Sequence, residues 1–185
     1  MKSLKEQMVA YAAYHRHPKN KISHFFGVPL AIVSLLTPLA WFRFAPAPGL
    51  VSGATLLYVC VMVYYVVLDR RLAAVVAVVA LPLLWAAERL GTLPFGQSAA
   101  AFLAVTIVGW AIQLLGHHFE GRRPALTDNL LQIFNAPLFV VLEVYFMLGL
   151  RRSLKADVDA AVARDERQRG LAVGKESAPS AFHRS

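Results

Sequence analysis

The chain reads as an all-α, polytopic membrane helical bundle with four transmembrane helices and a fifth apolar helix that is proline-broken or re-entrant. Three observations predict it. The 185 residues are 57% hydrophobic and only 16% charged. Residues 25–42, 44–68 and 90–116 contain no Asp, Glu, Lys or Arg, and each stretch is long enough to cross roughly 30 Å of hydrocarbon at about 1.5 Å per helical residue. Lys2, Lys5, Arg16, Lys19, Lys21, Arg70, Arg71, Arg122 and Arg123 fall in segments that alternate with the apolar ones, as the positive-inside bias requires. A soluble bundle would need helices with a polar face, which these stretches lack. The net charge of +8 therefore reports topology and attraction to anionic membrane lipid, and no nucleic-acid partner is expected.

At the N-terminus, Leu4, Met8, Tyr11 and His15 recur at helical spacing, which predicts an amphipathic helix lying on the membrane surface. The first 21 residues hold five Lys or Arg and no apolar core, so they are no cleavable signal, and the segment from Phe25 serves as an uncleaved anchor. Crossings are expected near residues 25–43, 50–68, 72–90 and 97–116. Pro46, Pro48 and Gly49 break the chain after the first, Asp69 to Arg71 turn it after the second, and Gly91, Pro94 and Gly96 after the third. The lone Cys60 sits mid-span and permits no intrachain disulfide.

The last apolar segment, Asp128 to Leu150, carries Glu143 and Pro137. A full fifth crossing would put Arg151, Arg152, Lys155, Arg164, Arg167 and Arg169 outside, against the charge rule. Pro137 removes a backbone donor near the middle, which favours a broken or re-entrant segment. Residues 1–152 then form one membrane-embedded domain, 153–170 a cytoplasmic surface helix ending near Gly170, and 171–185 a disordered tail. The composition reads as that of a bacterial inner-membrane protein with its N-terminus facing the cytoplasm.

Five of the six histidines fall in two polar islands, Tyr11 to His24 and Gln113 to Glu120, at the edges of apolar runs; His183 belongs to the tail. Ionisable groups at a membrane boundary are costly unless paired, hydrated or metal-bound. Four crossings separate the islands, and an even number returns the chain to its starting face, so both meet on the cytoplasmic side. Pro18 interrupts the first helical run, so His15 and His24 need not share a helix. Gln113, His117 and Glu120, spaced i, i+4 and i+7, lie on one helical face, with His118 about 100° away. Two or three imidazoles with one carboxylate suit Fe(II) with positions left open for substrate and oxygen. The candidate ligands are His15, His24, His117 and Glu120, with His118 and His17 carrying less weight. Glu143 either bonds backbone freed by Pro137 or orients a ligand histidine. Arg122 and Arg123 serve topology first and are candidates to hold a fatty acid's carboxylate.

The stretches "YAAYHRHPKNKISHFFGVP" and "QLLGHHFEGRRPALTDNLLQIFNAPLFVVLEVYF" resemble the paired motifs of the membrane 2-hydroxy fatty acid dioxygenases. That family was formerly a domain of unknown function, and its fungal member acts in phytosphingosine breakdown. The resemblance spans about residues 5–150. It implies an Fe(2+)-dependent enzyme that uses dioxygen to shorten a long-chain 2-hydroxy fatty acid by one carbon. His15, Asn20, His24, His117 and Glu120 match its motifs, as do Gln113, Pro124, Pro137 and Glu143, which places Glu120, Asn20, Glu143 and Gln113 in the expected catalytic set. Neutral imidazoles are needed as ligands, so activity is expected to fall as pH drops through about 6. Two rivals remain from the sequence: a non-catalytic transporter or lipid-binding scaffold, with polar residues spread through the membrane depth, and a zinc-dependent lipid hydrolase.

Overall fold

The computed structural model describes residues 3–44, 51–120 and 133–176. Seven helices follow one another: α1 (Leu4–Ala12), α2 (Pro18–Ala40), α3 (Gly53–Leu68), α4 (Arg70–Gly91), α5 (Phe95–Glu120), α6 (Ala136–Met147) and α7 (Arg152–Glu176). No strand occurs among the described residues, which bears out the all-α prediction.

Local sequence explains where the helices begin. Ser3 and Glu6 form a capping box at the start of α1, each satisfying the other's backbone N–H. Pro18 does more than interrupt α1: it is the first residue of α2, where its missing N–H costs nothing, while His17 Nδ1 caps the helix by accepting from Lys19 N at 3.2 Å. Asp69 ends α3 and caps α4 by accepting from Leu72 N at 2.9 Å. Pro137 marks the break expected in the last apolar segment, since residues 133–135 form a tight turn just before α6. It is the second residue of α6, where its missing N–H is harmless, so it opens that helix.

The helices α2, α4 and α5 are long and apolar enough to cross a membrane, while α3 and α6, with 16 and 12 residues, are shorter. At about 1.5 Å per residue α6 reaches only about 18 Å, too short for a crossing. Phe26, Val78, Trp85, Ile107 and Leu115 are exposed on the outer faces of α2, α4 and α5, a belt suited to lipid and not to water.

Contacts fix which helix ends lie together. Trp41 Nε1 donates to Ser98 Oγ at 2.8 Å, and Glu88 accepts from Ser52 Oγ, from Thr55 Oγ1 at 3.1 Å and pairs with Arg43 at 3.2 Å. These gather the end of α2, the start of α3, the end of α4 and the start of α5. At the opposite end Tyr64 OH donates to Gln7 Oε1 at 2.8 Å, Tyr65 OH to the Phe134 carbonyl, and Arg151 pairs with Asp69. The two histidine islands share this second end, as an even number of passes requires. Each end has its own apolar core, Val33, Leu36, Ala40, Leu84 and Ala87 at the first and Met8, Tyr11, Leu72, Leu138, Phe139 and Leu142 at the second.

The seam between α2 and α5 is the most extensive in the bundle. Glycines make it close. A Cβ on Gly109 would stand 3.0 Å from Leu30 Cβ, one on Gly27 would stand 2.8 Å from Gln113 Cγ, and one on Gly116 would stand 1.9 Å from Ser23 Oγ. Inside a membrane, where lipid is as apolar as leucine, such close approach and its dispersion contacts are what hold helices together.

After α6 the chain reverses sharply. Gly149, at φ 70°, closes a turn in which Leu150 N donates to the Tyr145 carbonyl at 2.8 Å and Gly149 N to the Phe146 carbonyl at 3.1 Å, a left-handed cap that only glycine enters cheaply. The helix expected over 153–170 runs instead from Arg152 to Glu176, so residues 171–176, expected to be disordered, are helical. Val158 and Val162 bury its inner face against the core of α1 and α6.

Candidate metal centre

His15, His24 and His117 are all buried, and their ligand atoms lie within 4.8 Å of one another. Ring centroids are 4.5 Å apart for His15 and His24, 5.1 Å for His15 and His117, and 5.3 Å for His24 and His117. The three rings are steeply inclined to one another, by 76°, 66° and 84°, so they converge edge-first on a common point instead of stacking.

Backbone carbonyls set the tautomers. His15 Nδ1 lies 2.9 Å from the Tyr11 carbonyl and His24 Nδ1 lies 2.9 Å from the Asn20 carbonyl. A carbonyl oxygen only accepts, so each Nδ1 carries the proton and each Nε2 presents a lone pair, the form in which imidazole binds a cation. His15 sits just past α1, and its bond also satisfies an end carbonyl of that helix. Its ring is stacked on Tyr11 with centroids 3.9 Å apart, and Phe139 packs beside both rings, 4.4 Å from Tyr11 and 5.7 Å from His15. Burial, with the neighbouring His24 and His117 rings and the Lys21 ammonium, lowers the His15 pKa from 6.5 to about 3 against the opposing Tyr11 hydrogen bond. An acid loss near pH 6 would therefore not arise at His15.

The other residues singled out by sequence divide. Asn20 is fully buried one turn before His24, and its Oδ1 would stand 2.6 Å from a Cβ at Gly116. Glu143 accepts from Lys21 Nζ at 2.7 Å, a pairing across 122 residues. Gln113 lies against Gly27 and lines an apolar pocket between α2, α3, α4 and α6, one turn from His117 but outside the histidine group. His118 is exposed, its ring turned toward Phe119, and is not part of the group. His17 caps α2 and faces Phe119 instead. Glu120 ends α5, and its side chain, like Arg122, Arg123, Pro124 and His183, lies outside the described residues.

Sequence reasoning missed two participants. Tyr11 appeared only as one position on an amphipathic face, yet it is the platform under His15. Lys21 was counted as a topology residue, yet it is the counter-ion of the part-buried Glu143 carboxylate; a carboxylate inside an apolar run needs a cation, and that need was the available signal. Polar groups also gather at the far end of the bundle, around Glu88. Ser52, Thr55 and Arg43 bond to Glu88 there.

A lipid-facing helical bundle with three convergent, buried imidazoles at one end defines an integral membrane protein with a histidine centre able to hold a metal ion. The family profile described as "2-hydroxy-palmitic acid dioxygenase Mpo1-like" matches residues 1–148. A curated relative, the 2-hydroxy-palmitic acid dioxygenase MPO1 of Saccharomyces cerevisiae, is 33% identical over 160 residues, covering 84% of this chain and 87% of the relative. The chain belongs to the Mpo1-like family. No solved structure matches it.

Proposed function

We propose that this protein is an Fe(II)-dependent dioxygenase that converts a long-chain 2-hydroxy fatty acid into the acid one carbon shorter. The observation that carries the reading is the convergence of His15, His24 and His117, together with membership of a family whose yeast relative is named for this chemistry. Written with carbon dioxide as the released carbon, the reaction balances without an outside reductant: one 2-hydroxy acid and one dioxygen give the shorter acid, carbon dioxide and water.

The donor set fits the ion. Three imidazole nitrogens within 4.8 Å of one another need only small side-chain adjustments to stand about 2.1 Å from one cation, and imidazole is a good ligand for iron as it is for zinc, copper and nickel. Fe(II), when bound, would relay the substrate's electrons to dioxygen and provide the open positions at which the two are brought together. The protein's own residues do the rest. The Tyr11 and Asn20 carbonyls hold two rings in the ligand tautomer, Tyr11 and Phe139 keep water from the back of His15, and the glycine seam holds His117 against His24. Glu120, one helical turn beyond His117, completes the set in this reading.

The end of the bundle bearing the histidines also carries Lys19, Lys21, Arg70, Arg71, Arg151, Arg152 and Lys155, against Arg43 and Arg89 at the other, so it faces the cytoplasm by the positive-inside bias. The yeast relative is eukaryotic, so the relationship does not single out a bacterial inner membrane. Anaerobic purification with metal quantification, followed by aerobic incubation with 2-hydroxypalmitate, tests the proposal. Stoichiometric iron and oxygen-dependent formation of the fifteen-carbon acid are expected. Iron-free protein that leaves the substrate unchanged with added Fe(II) refutes it, zinc with oxygen-independent hydrolysis of a lipid supports the hydrolase, and no metal at all supports a scaffold.

A further inference from the structure

A second pocket adjoins the histidine centre and differs from the apolar one in kind. It lies between α1, α6 and α7, and His15 forms part of its lining together with Arg16, Lys21, Glu143, Lys155 and Asp159. Three cations face two carboxylates. The cavity volume is about 250 Å³, large against the roughly 30 Å³ that one water occupies.

The arrangement of Lys21 is what makes the pocket specific. Its ammonium donates to Glu143 Oε1 at 2.7 Å and sits 5.9 Å from the Phe139 ring centroid, which leaves donors on the same nitrogen for a further acceptor. Glu143 is the more deeply buried partner, so it fixes where the ammonium stands. The outer wall is α7, which contributes Lys155, Asp159, Val158 and Val162; that helix begins after the last residue of the family match. A long-chain acid carries one negative head group, and this polar cavity reaches His15.

We propose that this pocket binds the carboxylate of the long-chain acid, with Lys21 as its counter-ion, Glu143 as the residue that positions Lys21, and Lys155 on α7 as a second cation at the mouth. Arg122 and Arg123 are then not needed for that task. The assignment rests on the dioxygenase reading for the identity of the substrate, but not for the existence of an anion site.

The test is equilibrium binding of radiolabelled palmitate and of its uncharged methyl ester to the full-length, detergent-solubilised protein without added metal, alongside KM for 2-hydroxypalmitate. A charge-assisted contact corresponds to roughly tenfold or more in affinity, so wild type should prefer the acid by at least about that factor. Lys21→Met should abolish the preference and raise KM. Lys21→Arg should keep the preference, and Lys155→Met should weaken it in part. The double variant Lys21→Met, Glu143→Gln removes both charges, avoids a stranded carboxylate, and should bind acid and ester alike while retaining metal at the three histidines. Equal binding of acid and ester by wild type, or an undiminished preference in the double variant, overturns the proposal. If 2-hydroxypalmitate is not consumed but the preference depends on Lys21, the pocket stands and the dioxygenase reading falls.

Discussion

Gly116→Ala is the smallest change that should dismantle the centre. Its Cβ would meet Ser23 Oγ at 1.9 Å, Asn20 Oδ1 at 2.6 Å and Ser23 Cβ at 2.9 Å, against 3.4 Å or more for ordinary contact. The serine hydroxyl can turn away by giving up its 2.7 Å bond to the Asn20 carbonyl. Its Cβ cannot, and Asn20 is fully enclosed. At least about 0.5 Å of separation between α2 and α5 therefore remains, which is beyond the roughly 0.2 Å that a metal–ligand bond tolerates. Because His117 follows Gly116 and His24 follows Ser23, that separation is applied directly across two of the three imidazoles. The overpacking should cost about 1–3 kcal/mol, too little to unfold the bundle, while metal occupancy should drop by about tenfold or more. Metal quantification with far-ultraviolet circular dichroism as the fold control reads both effects. Gly96→Ala on the same helix, where a Cβ meets nothing within 4 Å, should retain full occupancy. Gly116→Ala protein that loads metal like wild type would refute the reasoning.

Single His15→Ala, His24→Ala and His117→Ala changes should each remove most bound metal, whereas His118→Ala should leave it within about twofold; elemental analysis of the purified variants distinguishes them. In metal-free protein the depressed His15 means that the unfolded chain takes up a proton near 6.5 that the folded chain refuses until about 3. Stability should therefore fall as pH drops through that window, by up to about 1.4 kcal/mol per pH unit, and be flat with respect to this group below it. Thermal melts in detergent should show the slope, and His15→Gln should flatten it. Val158→Ala with Val162→Ala should loosen α7 from the core at roughly 1–3 kcal/mol each, detected as faster hydrogen exchange across residues 152–165 with metal content unchanged.

Much of the bundle was legible because its determinants are local. Charge-free runs and the breakers between them marked the apolar helices, and counting passes between Tyr11 and Gln113 put both histidine islands at one end. The proline positions were legible as interruptions but not as to side: Pro18 and Pro137 each open a helix, because the ring's missing donor is harmless in a first turn. The histidine triad could be named from its spacing and family motif. The Lys21 and Glu143 pair and the closeness of Gly116 to Ser23 could not, since both depend on how two helices distant in sequence rotate against each other. The length of α7 was underestimated for a similar reason. Its polar sequence argues for little intrinsic structure, and the burial of Val158 and Val162 on α1 and α6 compensates.

Two of the three imidazoles belong to long apolar helices, α2 and α5, while the third follows the nine-residue α1, which the core holds through Met8 and Tyr11. Whatever loosens α1 from α6 and α7 thus acts on the ring of His15 itself. A Met8→Ala variant, altered a full helix turn and more from any imidazole, should accordingly hold less metal than wild type.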